Sequence, residues 1–86
     1  MSDLSFAMTL RRERVSAVKT QKEFANLIGV SYYTYKGWES ARSLPTPDHF
    51  MKLSMAARCS GRQGAEKRLQ ESYQREKLTK WVTRDE

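Results

Sequence analysis

The sequence predicts an all-α protein, a bundle of four to five short helices with a C-terminal helical extension. Three observations predict it. Apolar residues recur three, four and seven apart, and no stretch sustains the two-residue alternation of a strand. Residues that cap helices stand ahead of each short apolar run. Glycine and proline punctuate the runs where helices would stop. At 86 residues the chain fits a single domain with a modest core, and dimerisation would help it materially.

The elements follow in order. "SFAMTLRRERVSAV" carries Ala7, Leu10 and Val18 on one helical face, with Phe6, Val15 and Ala17 flanking. "TQKEFANLIG" opens on a capping box, Thr20 with Glu23 three residues on, and closes on Gly29. Phe24, Ala25 and Ile28 form its apolar side. Ser31 caps a third helix, Tyr32 to about Glu39, which holds three tyrosines, a tryptophan and an internal glycine, all mediocre helix formers. Thr46 caps a fourth, with Pro47 in its first turn, Asp48 at its positive end and Phe50, Leu53 and Ala57 as its stripe.

"RCSGRQG" breaks the series. The expected organisation is therefore a domain over residues 1–58, a linker over 59–64 and a charged C-terminal helix or tail over 65–86. In that last segment Glu71–Arg75 and Glu76–Lys80 are spaced as i, i+4 ion pairs. Ala65, Leu69, Tyr73 and Trp81 form a stripe too thin for a core helix, able to dock on the domain or on a second copy.

Composition narrows the function classes. The net charge of +6 favours a polyanionic partner, nucleic acid first and anionic membrane second. No apolar run approaches the roughly 20 residues of a membrane span. The N-terminus, acid first and arginines after the apolar part, is the reverse of a secretory signal, so a cytoplasmic location is expected. The single cysteine, Cys59, excludes an internal disulfide framework and fits a reducing compartment. His49 and Cys59 do not support each other as a catalytic pair. No metal spacing or phosphate loop is present, so neither enzyme activity nor a cofactor is expected.

Two short helices separated by "IGVS" have the layout of a helix-turn-helix, although ordinary α-hairpins share it. The residues add more. Thr20-Gln21, Ala25, Gly29-Val30-Ser31, Thr34-Tyr35, Trp38-Glu39, Ala41 and Pro45 stand without gaps in a pattern that resembles the lambda-repressor-like (Cro/XRE-type) helix-turn-helix family. The likeness extends from about Leu10 to Ala57. It implies that the protein is a sequence-specific, double-stranded DNA-binding transcriptional regulator, a small phage- or plasmid-type repressor that reads the major groove with the helix at 32–39.

The resemblance also implies roles. Tyr35 and Trp38 take buried positions. Tyr33, Lys36 and Gly37 face outward for base contacts, and Tyr32 in the first turn reaches bases or sugars; the alternatives are a solvated face and a ring packed over the helix corner. Lysine can donate to guanine, tyrosine can pack on thymine methyls, and a glycine would let the backbone approach the bases. Phosphate contacts fall to Gln21, at a helix N-terminus suited to anions, and to Lys22, Thr34, Arg42 and Arg11. The alternative for Gln21 is a plain first-turn polar residue, and for Arg42 a solvated loop arginine. Arg14 and Glu39 form a structural ion pair. Three positions depart from the pattern: Ala41 and Val18 replace glycines, and Lys19 replaces an apolar residue, so the turns there are expected either to differ from the family's or to be strained.

A homodimer on a two-fold-related operator is expected, because one short helix reads too few bases. Residues 65–81 are expected to contribute to it. No ligand-sensing domain is expected. The rival is an antitoxin or protein–protein interaction module that binds a partner protein through the C-terminal helix.

Overall fold

The computed structural model describes residues 5–60 and 63–84, with side chains through Leu78 apart from that of Ser60. They form five helices, α1 (Phe6–Ser16), α2 (Gln21–Ile28), α3 (Tyr32–Glu39), α4 (Pro47–Ser60) and α5 (Ala65–Arg84). Among the described residues there is no strand.

Side-chain caps start the helices. Ser5 Oγ accepts from the Met8 amide at 3.2 Å, and Ser31 Oγ from the Thr34 amide at 3.1 Å. The Thr20 capping box closes both ways: Thr20 Oγ1 accepts from the Glu23 amide at 3.1 Å, and Glu23 Oε1 from the Thr20 amide at 2.9 Å. Thr46 Oγ1 accepts from the His49 amide at 3.3 Å. Each such cap stabilises its helix by about 1 kcal/mol, which matters most for the weak eight-residue α3.

The first three helices share one way of stopping. The Lys19, Val30 and Arg42 amides reach back to the carbonyls of Arg14, Ala25 and Gly37, five residues earlier, around a left-handed residue at Val18, Gly29 and Ala41. Only the middle one is a glycine. Val18 at φ 58° and Ala41 at φ 64° hold a conformation that L-residues adopt at a cost. The two positions where glycine is missing from the family pattern thus keep the glycine geometry.

The core joins Phe6 and Leu10 of α1, Phe24, Ala25 and Ile28 of α2, Tyr35 and Trp38 of α3, Leu53, Ala56 and Ala57 of α4, and Ala65, Leu69 and Tyr73 of α5. This corrects two expectations. The inward face of α1 is Phe6, Ala7, Thr9, Leu10 and Glu13, so Ala7 and Leu10 face inward as expected, while Val15 and Val18 are exposed. The thin stripe of α5 is part of the domain core, because α5 packs on α1 and α4. Tyr73 stacks on Phe50 with ring centroids 4.1 Å apart, meets Phe6 at 5.6 Å, and donates its hydroxyl to Pro45 O at 2.6 Å. Arg68 grips the buried Glu13 through two bonds of 2.7 and 3.0 Å. A long polar side chain here does the sealing that a wider apolar stripe would do elsewhere. Helix α4 also runs through Cys59 and Ser60, two residues into the expected linker. The side chains of Lys80 and Trp81, invoked in the stripe and an ion pair, lie outside the described residues.

Candidate nucleic-acid interface

Helix α3 is divided sharply by face. Tyr35 and Trp38 are buried, their rings edge-on at 5.8 Å, with Phe24 of α2 against Tyr35 at 5.7 Å. Aromatic pairs of this kind contribute about 0.5–1.5 kcal/mol beyond their burial. The aromatic content that weakens α3 as an isolated helix is what anchors it to the core.

The far end of α3 is fixed by a polar junction. Glu39, with a side chain 4% exposed, accepts four hydrogen bonds. Arg14 Nε and Nη2 donate at 2.6 and 3.2 Å, Gln21 Nε2 at 3.0 Å and the Tyr35 hydroxyl at 2.5 Å. Arg14 also donates to the Lys19 carbonyl at 2.8 Å, which ties the α1–α2 turn to the same point. Burial pushes the Glu39 carboxyl up, but the bonds from Arg14, Tyr35 and Gln21 outweigh it and hold the group below its ordinary value. Burial, then the bond to Glu39, pushes the Tyr35 phenol well above its usual range, so it stays a donor. Because every lone-pair direction of the carboxylate is taken, the charge sits inside without an orphaned partner.

The opposite side of α3 is open. Tyr33 is 78% exposed, and Lys36 and Thr34 are exposed with it. Tyr32 is half-buried; its ring meets that of Tyr33 at 5.5 Å and has two ammonium groups over it, Lys22 Nζ at 5.5 Å and Lys36 Nζ at 5.6 Å. Thr34 Oγ1 accepts from the Ser31 hydroxyl at 2.9 Å and keeps its own proton to donate. Arg11, Gln21 and Lys36 line one polar cavity of about 390 Å³ with Arg14, Glu39 and Ser40. Arg42 is exposed just past α3. Among the described residues Arg11, Lys22, Lys36 and Arg42 have no ion-pair partner. The nearby acid, Glu39, is already neutralised by Arg14.

The structure therefore brings together Arg11, Gln21, Lys22, Tyr32, Tyr33, Thr34 and Lys36, with one correction. Gly37 was expected on the outward face, and it is buried. Its carbonyl accepts from the Arg42 and Ser43 amides at 2.9 and 3.4 Å, so the loop after α3 folds back over it. A Cβ placed there would meet Ser43 Oγ at 3.4 Å. Gln21 is the second shift of emphasis, since its amide bonds Glu39 and only the second N–H of its Nε2 remains for another acceptor. The double contact of Tyr32 with Lys22 and Lys36 was not foreseen. The i, i+4 spacing of Tyr32 and Lys36 was its one visible signal.

Two short helices crossing through a glycine turn, the second anchored by aromatics and bare on its other side, define a helix-turn-helix domain. The chain belongs to the Cro/C1-type helix-turn-helix family, whose model matches residues 10–62. It is similar to the cryptic phage CTXphi transcriptional repressor RstR of Vibrio cholerae serotype O1, at 37% identity over 51 residues. That stretch is 59% of this chain and 46% of the repressor, so the chain matches somewhat less than half of its relative's length. No solved structure matches the chain. No helix is long and apolar enough, among the described residues, to cross a membrane.

Proposed function

We propose that this protein is a sequence-specific DNA-binding transcriptional regulator, a repressor of the phage type, that lays α3 in the major groove of its operator. One observation carries the proposal: unpaired cations and an exposed tyrosine cluster on the bare side of a helix whose other side is locked into the core. Tyr33 and Lys36, with Tyr32 beside them, are the base-reading candidates. Lys22, Thr34, Arg11 and Arg42 are the phosphate candidates, joined by Gln21 and the amides at the start of α2. The family match and the likeness to a phage repressor support a binding role without catalysis.

A homodimer on a two-fold operator completes the proposal, since two half-sites multiply the few bases one short helix reaches. The outer sides of α4 and α5 support this. Met51, Met55 and Leu78 are exposed along a groove of about 890 Å³ whose charges have both signs, Arg58, Arg75 and Lys77 with Glu66 and Glu71. An apolar groove of mixed charge suits a second copy better than the basic α3 side, which would repel itself. A partner protein is the other occupant such a groove could take, and sedimentation of the protein alone decides between them.

Selection from a random duplex library tests the proposal. The expected result is one enriched motif with two-fold-related half-sites and binding that weakens steeply with salt. A library that returns no motif at low salt overturns it.

A further inference from the structure

We propose that Tyr32 is a positioning residue whose ring, not its hydroxyl, holds Lys22 and Lys36 ready for DNA. The inference rests on the DNA-reading role of α3 and gives Tyr32 a part in that site other than base contact. Three observations carry it. The ammonium groups of Lys22, from the first turn of α2, and Lys36, one turn along α3, lie 5.5 and 5.6 Å from the same ring centroid. Neither lysine has a carboxylate partner among the described residues. The ring itself is half-buried, with the Tyr33 ring 5.5 Å away, so it is a partly enclosed platform.

The chemistry follows from the ring's quadrupole. Its electron-rich face attracts a cation, and here it attracts two that would otherwise repel each other and sample many rotamers. The lysines belong to different tasks, Lys22 beside the phosphate-facing start of α2 and Lys36 on the base-facing side of α3. A single ring thus couples backbone anchoring to base reading, and ordering both side chains before DNA arrives lowers the entropy lost on binding.

Two substitutions separate ring from hydroxyl. Tyr32→Phe keeps a cation-attracting face and loses the hydroxyl; Tyr32→Leu keeps the bulk and loses the face. The expected result is operator binding within about twofold of wild type for Phe and a loss of about 5- to 20-fold for Leu. In a Lys36→Ala background the same Leu change should cost markedly less, because its effect runs through that lysine. A direct readout uses the free protein: the side-chain methylene protons of Lys22 and Lys36 should be shifted upfield in wild type and Phe and return to ordinary values in Leu. If the shifts are absent in wild type the platform does not exist, whatever the DNA result. A Phe variant that loses as much as Leu assigns the role to the hydroxyl, and an equal Leu cost with and without Lys36 assigns it to packing; both overturn the proposal. Should the Leu variant fail to fold, the wild-type shifts and the Phe affinity still decide. A wild-type protein with the shifts but no operator refutes the DNA-reading role instead.

Discussion

Arg14 and Glu39, 25 residues apart in the chain, meet at 2.6 Å with the carboxylate almost wholly enclosed. The contact joins α1 to the last residue of α3 and, through Gln21, to the first residue of α2. It sets the angle at which α3 leaves the core.

Removing one partner should be costly because the other charge stays inside. Arg14→Ala is expected to lower unfolding free energy by about 3 kcal/mol in denaturant titration. The pair also has a pH signature. Glu39 has a folded-state value below its unfolded one, so its contribution is complete above about pH 4.3 and fades as pH falls through the depressed folded value. Glu39→Gln should flatten that acid limb. An unchanged limb would assign acid sensitivity to another group.

The two left-handed positions without glycine hold recoverable strain. Val18→Gly and Ala41→Gly are each expected to raise stability by about 1 kcal/mol, with the β-branched Val18 gaining more. Denaturation midpoints check this, and a loss at either site would mean the φ there is not a burden.

Gly37 separates two ideas of α3. Beneath the returning loop, an alanine methyl fits at ordinary contact with Ser43 and removes a helix penalty of about 1 kcal/mol. Gly37→Ala should therefore leave operator affinity within about threefold and stability unchanged or higher. A large loss confined to affinity would restore a close backbone approach to bases.

Helix α5 should be indispensable to the fold. Tyr73→Ala is expected to cost about 3 kcal/mol, and Tyr73→Phe about 1 kcal/mol for the bond to Pro45. A chain ending at Ser60 should lose cooperative unfolding, and one that melts as before would make α5 an appendage.

Much of this was legible in the residues. Thr20 with Glu23, Ser31, and Thr46 ahead of Pro47 announced three helix starts, because caps act through local bonds that a sequence shows directly. The spacing of Tyr35 and Trp38 put them on one face, and the family resemblance marked that face as the inward one. What stayed hidden depends on long-range geometry. The face of α1 was misread because Glu13, a charge, is buried beneath Arg68, 55 residues on. The same pairing made α5 look too polar to be core. Gly37 looked open on the helix face because nothing local says that Arg42 and Ser43 double back over it.

Lys36 and Tyr33 give the most direct test of a reading helix. Affinities of Lys36→Ala and Tyr33→Ala should be measured on the selected operator and on a scrambled duplex at one salt concentration. The expected result is at least a tenfold loss on the operator and no more than about threefold on the scrambled duplex. Equal losses on both would show that these side chains grip the backbone without reading sequence, and the outward side of α3 would not be where the operator is recognised.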